Sequence, residues 1–227
     1  MSEFTERILS VQTRLEEAAK KSGRSLKDIT VVAVTKGAKT ELIRQARETG
    51  VVLFGENRVQ EAEEKILTLQ GMDIQWHLIG HLQSNKVKSA VDLFHVIQSV
   101  DTVRIAEKIS EESLAVNKIS SVLLEVNVSG EEQKYGFKPE EVYAAIDAIG
   151  QFSGIKVQGL MGIAPNVAEE QPKRDAFKKL KGIFSACKML KHPNIEMKYL
   201  SMGMSEDFTI AVEEGSNMVR LGRALFK

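Results

Sequence analysis

The feature that most constrains the fold is an alternation of short, apolar, β-branched runs with longer segments of helical period. The run at residues 30–34 is almost continuously apolar, as a strand covered on both faces requires. Seven similar runs follow, near residues 51–54, 75–78, 93–97, 121–127, 156–160, 197–201 and 218–221. Helical patterns precede or separate these runs, at residues 4–21, 40–49, 58–69, 85–90, 102–117, 139–149, 172–190 and 207–214.

Eight strand–helix units predict an α/β fold, a single (βα)8 TIM barrel with an extra N-terminal helix over residues 4–21. The chain has 227 residues, and such barrels take roughly 200 to 250. A doubly wound open sheet is the alternative, but it would carry Gly-x-Gly-x-x-Gly after the first strand, where residues 35–39 read Thr-Lys-Gly-Ala-Lys. No linker-like stretch interrupts the sequence, so we expect one domain over residues 1–227.

Charge and composition argue against several classes of partner. Lys plus Arg and Asp plus Glu both number 31, so the chain has no global attraction for nucleic acid or for an anionic membrane, and we expect neither partner. No apolar run approaches the ~18 residues of a membrane span. Residues 1–7 carry charge where a signal peptide needs an apolar core, which indicates a cytoplasmic protein. The single cysteine, Cys187, excludes an internal disulfide.

Active sites of these barrels gather where the strands end, and the first strand ends at Lys36. A neutral amine at the rim of an apolar barrel is the nucleophile that forms Schiff bases with carbonyl compounds. The alternative is a solvated loop lysine, as we expect for Lys39. The two histidines His77 and His81 lie four apart on a strand, roughly 13 Å from each other, so they cannot share a metal ion, and we expect no metal site.

The last two strands end in segments suited to an anion. Residues 201–205 read Ser-Met-Gly-Met-Ser, and residues 220–223 read Arg-Leu-Gly-Arg. Phosphate binding between the final strands recurs in such barrels, so these segments predict a phosphate site. We expect Arg220 to point into the barrel mouth and Arg223 to follow in a loop nearer the phosphate. The alternative for either arginine is an ion pair with an acid such as Glu125.

Five sequence blocks carry a resemblance to a known family. They are Val-Thr-Lys at 34–36, Phe-Gly-Glu-Asn-Arg-Val-Gln-Glu at 54–61, Trp-His-Leu-Ile-Gly-His-Leu-Gln-Ser-Asn-Lys at 76–86, Leu-Ser-Met-Gly-Met-Ser-Glu-Asp at 200–207, and Val-Arg-Leu-Gly-Arg-Ala-Leu-Phe at 219–226. In this order, and over essentially the whole chain, they resemble the pyridoxal phosphate homeostasis protein family, also called the YggS or proline-synthetase co-transcribed family. The resemblance implies a barrel like the N-terminal domain of alanine racemase.

The resemblance also implies roles for individual residues. It implies that Lys36 forms an internal aldimine with pyridoxal 5′-phosphate and that Arg220 faces the pyridine nitrogen. The residues it assigns to the phosphate are Ser201, Met202, Gly222 and Arg223. Asn57 and His81 are expected to line the surroundings of the cofactor.

At the level of function, the resemblance implies a non-catalytic cofactor-binding protein, a monomer or weak dimer, that serves intracellular pyridoxal phosphate homeostasis. It would supply the cofactor to apo forms of pyridoxal phosphate-dependent enzymes. The alternative is an amino-acid racemase or decarboxylase of the alanine racemase fold type. That enzyme needs a second base facing Lys36, for which the sequence offers Tyr135, His81 or Cys187. A Schiff-base aldolase is a third reading, although such barrels usually carry the amine on a later strand.

Overall fold

The computed structural model describes residues 3–131, 133–190 and 192–227, and within them eight parallel strands close into a barrel. The strands are β1 (Thr30–Val34), β2 (Leu53–Glu56), β3 (Gln75–Leu78), β4 (Val96–Val100), β5 (Ser120–Val126), β6 (Ile155–Gly162), β7 (Ile195–Met204) and β8 (Met218–Leu221). Each strand pairs with the next in sequence, and β8 pairs with β1, with Val32 opposite Arg220. The closed barrel is therefore confirmed, and the open-sheet alternative is excluded.

Helices surround the barrel and one precedes it. They are α1 (Glu3–Lys21), α2 (Thr40–Glu48), α3 (Val59–Thr68), α4 (Val87–Leu93), α5 (Val103–Ala115), α6 (Val142–Ile149), α7 (Glu170–Cys187), α8 (Phe208–Glu213) and α9 (Arg223–Phe226). The predicted N-terminal helix, α1, packs against α8 and α9, where the Phe4 and Phe226 rings stack 5.6 Å apart. Of the helices in the described residues, none combines the length and apolar character that a bilayer span requires.

Apolar side chains form two layers, one inside the barrel and one between the strands and the helices. The buried residues of the inner layer are Val32, Val96, Leu123, Met161 and Met218. Because successive side chains of a strand point to opposite faces, the inward position of Val32 also directs Val34 toward the inside of the barrel, and Lys36 follows in the turn after β1. Thr35 and Ala33 face the helices on the same argument. This alternation decides which rim residues meet at the mouth.

Five strands differ from their predicted ranges by one or more residues, and two of them, β4 and β7, differ by three residues at an end. The apolar run at residues 93–97 predicted the fourth strand, but Leu93 ends α4, and the buried Phe94 forms the turn that follows it. An apolar run cannot by itself distinguish a strand from the buried end of a helix. The seventh strand was predicted to end at residue 201, but β7 continues through Met204. This extension moves the rim of the barrel three residues along the chain.

The segment after β8 also differs from the prediction. Arg223 was expected in a loop, but it is the first residue of α9, a four-residue helix that follows Gly222. The carbonyl oxygen of Gly222 accepts hydrogen bonds from the backbone N–H groups of Leu225 and Phe226, at 3.0 and 2.9 Å. The helix is too short to show a hydrophobic period, which is why the sequence pattern did not predict it.

Candidate functional site

A cavity of about 1190 Å³ lies at the C-terminal ends of β1, β2, β7 and β8. Its lining brings together residues from distant parts of the chain: Lys36, Asn57, Ser205, Arg220, Gly222 and Arg223. Five of these six residues belong to the predicted site, and Ser205 is the exception. The prediction that Lys36 faces the ends of the last two strands agrees with this placement.

Lys36 is the only member of the site directly after β1. Its side chain is exposed to the cavity, and within the described residues it makes no hydrogen bond or ion pair. The adjoining part of the lining is apolar, with Val34, Ile79 and Ile163. An amine without an internal partner, facing a cavity, is available to react with a ligand.

A buried ion pair lies directly beneath Lys36, on the outer face of the barrel. The Glu56 carboxylate at the end of β2 is 0% exposed, and its Oε1 accepts hydrogen bonds from Thr35 Oγ1 and from Lys65 Nζ, both at 2.5 Å. Lys65 Nζ also donates to the Thr35 carbonyl oxygen at 2.7 Å. The ion pair therefore anchors the peptide group that leads into Lys36. Sequence reasoning placed Glu56 at the end of the second strand but assigned no role to it or to Lys65.

Arg220 is held inside the barrel rather than in an ion pair. Its Nη1 donates to the Ser201 carbonyl oxygen and to Ser201 Oγ, at 2.8 and 2.7 Å, and its Nη2 donates to the Gly162 carbonyl oxygen at 3.0 Å. Burial lowers the pKa of the guanidinium, and the carboxylates of Glu125 and Asp207 oppose this shift. A guanidinium has five N–H groups, so two remain without an acceptor among the described residues.

The extension of β7 changes which of its residues reach the cavity. Ser201 and Met202 are both 0% exposed and do not line the cavity, because Ser201 points into the barrel and Met202 packs in the outer apolar layer. Met204 and Ser205 line it instead. Ser205 Oγ accepts a hydrogen bond from the Ala224 backbone N–H at 3.1 Å, which joins the ends of β7 and β8. The hydroxyl at position 205 was visible in the sequence, but its distance from the barrel rim was not.

The arginine after Gly222 lies at the edge of the cavity. Arg223 forms an ion pair with Glu206, with Nη1 and Oε1 2.9 Å apart, and both side chains are more than half exposed. The alternative considered for the arginines, pairing with an acid, therefore describes Arg223, with Glu206 as the partner. An exposed pair of this kind stabilises by less than about 1 kcal/mol, so it leaves the guanidinium free to exchange partners.

Asn57 and His81 are separated by the structure. Asn57 lines the cavity, and its backbone packs so closely on Gly80 that a Cβ there would lie 2.3 Å from the Asn57 carbonyl oxygen. His81 does not line the cavity. Its Nδ1 lies 2.8 Å from Asp101 Oδ2, and the Tyr135 ring stacks on the imidazole at 3.7 Å. These side chains form a separate wall of the barrel mouth.

Glu125 is an acid in the barrel interior near Arg220. It is 9% exposed, and burial raises its pKa to about 7, with a further increase from Asp101 and an opposing effect from Arg220. The folded protein therefore binds a proton at Glu125 over a pH range in which the unfolded chain, with an ordinary pKa of 4.5, does not. The free energy of unfolding must fall as pH rises from about 4.5 to about 7 on account of this group.

We expect Glu125→Gln to remove this loss, because glutamine stays neutral at every pH. Relative to the parent chain, the variant should gain stability between pH 5 and pH 8 by up to about 3 kcal/mol, since one pKa unit corresponds to about 1.4 kcal/mol. Urea denaturation at the two pH values measures the difference. Glu111→Gln, at an exposed position on α5, is the control and should change stability by less than about 0.5 kcal/mol at both pH values. Equal effects of Glu125→Gln at pH 5 and pH 8 would show that the carboxyl is ionised throughout.

Comparison with protein families matches residues 11–227 to the alanine racemase N-terminal domain. Among curated proteins, the chain is 38% identical over 226 residues to the pyridoxal phosphate homeostasis protein of Pseudomonas aeruginosa, covering 100% of this chain and 96% of that protein. It is 36% identical over 221 residues to the protein of the same name from Aquifex aeolicus, covering 97% and 96%.

Comparison with solved structures indicates the same family and the same fold. The chain matches PipY of Synechococcus elongatus without PLP with a TM-score of 0.89 and 31% identity, and PipY with PLP bound with a TM-score of 0.86 and 30% identity. Both matches cover 99% of this chain and 100% of PipY. Alanine racemase of Clostridium difficile shares the fold, with a TM-score of 0.72 at 18% identity, and the match covers 98% of this chain and 55% of the racemase.

Proposed function

The chain belongs to the alanine racemase N-terminal domain family and, within it, to the pyridoxal phosphate homeostasis proteins, and from this premise we propose that its barrel mouth binds pyridoxal 5′-phosphate for intracellular cofactor homeostasis. In this proposal Lys36 holds the cofactor covalently, and the protein has no strong catalytic activity of its own. The relatives named above support the identity of the cofactor, and the contacts of the site residues support the proposed manner of binding.

The observation that carries the proposal is the convergence of three features on one cavity. They are an amine with no hydrogen-bond partner among the described residues, a buried guanidinium whose N–H groups find only three acceptors there, and the joined ends of β7 and β8. Pyridoxal 5′-phosphate presents an aldehyde, a ring nitrogen and a phosphate. Each of the three protein features matches one of these groups in chemistry, so the residues present fit the cofactor.

Covalent binding follows from ordinary amine chemistry. Lys36 Nζ, when neutral, adds to the aldehyde carbon, and loss of one water molecule leaves a carbon–nitrogen double bond, a Schiff base. The phosphate is assigned to the neighbourhood of Ser205, Gly222 and Arg223, which line the cavity on the β7–β8 side. Ser201 and Met202 are assigned no side-chain contact with it, because both side chains are buried away from the cavity.

An Arg220 partner at the ring nitrogen would weaken the carbanion chemistry of the cofactor without abolishing it. A guanidinium only donates hydrogen bonds, so a ring nitrogen that accepts from Arg220 stays unprotonated. The cofactor acts as an electron sink in amino-acid chemistry, and the protein adjusts that property through the partner of the ring nitrogen. A donor-only partner keeps the ring a weak sink and lowers reactivity at the bound amino acid.

The positions of the three candidates for a second base favour a carrier. Cys187 is 0% exposed in α7, and burial raises its pKa to about 11. His81 is bonded to Asp101, and Tyr135 is stacked on His81, so neither lines the cavity with Lys36. Abstraction and return of an α-proton on opposite faces needs a base on each face. The positions of these three side chains favour holding and releasing the cofactor, with apo-enzymes as the recipients.

The test begins with the purified chain and pyridoxal 5′-phosphate. We expect an absorbance band of the bound cofactor that borohydride converts into a stable adduct, and peptide mapping should place the added mass on Lys36. Incubation of the loaded chain with an apo-enzyme should restore that enzyme's activity. Exchange of α-protons in a panel of amino acids should proceed no faster than with free cofactor and lysine. Rapid exchange would instead support a racemase or decarboxylase, and an adduct elsewhere would overturn the assignment of Lys36.

A further inference from the structure

A line of buried polar side chains crosses the barrel interior from β8 to β3. It consists of Arg220, Ser201, Gln98 and His77, which are between 0% and 3% exposed. Ser201 Oγ lies 2.7 Å from Arg220 Nη1 and 2.6 Å from Gln98 Oε1, and Gln98 Nε2 lies 2.9 Å from His77 Nδ1. Buried polar groups destabilise a fold unless they are hydrogen-bonded, so four of them inside a barrel indicate a specific arrangement.

Arg220 and the two ends of the Gln98 amide together fix the direction of every hydrogen bond in this line. Arg220 can only donate, so Ser201 Oγ accepts from it, and because Gln98 Oε1 is only an acceptor, the Ser201 hydroxyl gives its own hydrogen to that oxygen. The amide oxygen of Gln98 is then an acceptor, and its Nε2 is a donor toward His77 Nδ1. His77 is therefore neutral and carries its hydrogen on Nε2.

Independent observations agree with this order. Burial lowers the pKa of His77 to about 4, and the charge of His95 adds to the effect, so the ring remains a neutral acceptor at physiological pH. The Gln98 amide nitrogen also lies 3.4 Å from Met218 Sδ, a weak acceptor that suits a second N–H. An amide oxygen in that place would face a sulfur atom with no hydrogen to offer.

Two acids attract the Arg220 guanidinium in competition with its hydrogen-bond partners inside the barrel. Glu125 and Asp207 both interact electrostatically with its guanidinium, and neither forms an ion pair with it among the described residues. An arginine freed from its partners in the barrel would turn toward such an acid. The line from Ser201 to His77 opposes this movement, because Gln98 Oε1 accepts the Ser201 hydroxyl hydrogen and thereby keeps the lone pairs of Ser201 Oγ directed at Arg220 Nη1.

We propose that Gln98 and His77 are positioning residues for the cofactor site, which act through Ser201 to keep the Arg220 guanidinium oriented with its two free N–H groups toward the cavity. The proposal rests on the proposed function, since it concerns the donor to the cofactor's ring nitrogen. Neither Gln98 nor His77 lines the cavity, so their effect on the cofactor is exerted entirely through Arg220.

The experiment compares cofactor binding by the full chain with that of Gln98→Met and Gln98→Glu. Methionine has a similar length, but it has no amide oxygen to accept from Ser201 and no N–H group to donate to His77. We expect Gln98→Met to weaken pyridoxal 5′-phosphate binding about 10- to 100-fold, the usual effect of removing an outer partner of a ligating group. Its visible band should also shift. Gln98→Glu restores an acceptor for Ser201 and should recover most of the affinity, with His77 now carrying a hydrogen on Nδ1 that it donates to the carboxylate. Ser201→Ala serves as the second variant should Gln98→Met fail to fold.

The control removes a buried hydrogen bond elsewhere. Ser113 and Ser120 share one at 2.7 Å between α5 and the start of β5. Ser113→Ala should lower the thermal stability of the apo-protein yet bind the cofactor with parental affinity and the parental absorbance band. A folded Gln98→Met or Ser201→Ala chain with parental affinity and band overturns the positioning role.

Nitrogen-15 chemical shifts of the His77 ring provide a readout that needs no cofactor. The parent chain should show a hydrogen on Nε2 and none on Nδ1 from pH 8 down to pH 5, and a hydrogen on Nδ1 would overturn the donor order.

The experiments distinguish failure of the positioning role from failure of the proposed function. A parent chain that forms no reducible adduct overturns the proposed function and the positioning role with it. A normal parental adduct with no effect of the variants overturns the positioning role alone.

Discussion

Replacement of Lys36 by alanine is expected to abolish the borohydride-stable adduct between this chain and pyridoxal 5′-phosphate completely. The reason is chemical, because a Schiff base needs a primary amine and the methyl group of alanine offers none. Arg220 and the residues at the ends of β7 and β8 remain, so weaker, non-covalent binding of the cofactor should persist. Absorbance titration measures the loss of the band, and the intact mass after reduction measures the loss of the adduct.

The variant should fold normally, which makes the result interpretable. Lys36 is exposed and without a partner among the described residues, so its removal should change the free energy of unfolding by less than about 0.5 kcal/mol. Lys39→Ala is the matched control, since Lys39 lines the same cavity three residues later and is also exposed. It should retain the adduct. An undiminished adduct in Lys36→Ala, lost in Lys39→Ala, would transfer the covalent role to Lys39.

Replacement of Lys65 by methionine is expected to give the largest loss of stability, about 3 to 5 kcal/mol, as breaking a buried ion pair from one side does. Glu56 would remain 0% exposed with Thr35 Oγ1 as its one hydrogen-bond donor. Its Oε2 already has no hydrogen-bond partner among the described residues, so the carboxylate depends heavily on the lysine. Urea denaturation of the apo-protein measures the change.

A double variant separates the charge from the packing. Lys65→Met combined with Glu56→Gln leaves no uncompensated buried charge, so it should be clearly more stable than Lys65→Met alone. Lys156→Met tests an exposed pair with Glu196, whose side chains are 41% and 52% exposed, and should change stability by less than about 1 kcal/mol. A loss at Lys65 no larger than that at Lys156 would contradict the assignment of Glu56 as a buried charge.

Most of the fold could be predicted from the sequence, because each element carries its own period. The apolar run before Lys36 and the glycine-containing segments of the last two strands placed the amine and the anion-binding residues at one end of a parallel barrel. The positions of Lys36, Asn57, Arg220, Gly222 and Arg223 in one cavity agree with that reasoning. Their roles toward the cofactor remain predictions.

The site was predicted less completely where strand length and pairing decide the outcome. Ser201 was expected at the rim, but β7 continues to Met204, so Ser205 reaches the cavity and Ser201 turns toward Arg220. The pairing of β7 with β8 shifts register between Ser201 and Met204, and such an irregularity has no signal in a single strand's sequence. His81 was expected near the cofactor, but its bond to Asp101 and the stacked Tyr135 place it on a separate wall.

The sequence by itself determined the eight-unit barrel and the amine at the end of its first strand, because side-chain spacing within each element encodes both locally. Only the tertiary structure decided that Glu56 binds Lys65 beneath that amine, and that Gln98 joins His77 to Ser201 and Arg220. Glu56 and Lys65 lie on the consecutive elements β2 and α3, whereas the members of the second set come from four separate strands, β3, β4, β7 and β8. Barrel closure and shifts in strand register bring them within hydrogen-bonding distance, and neither is recorded in the spacing of residues along the chain.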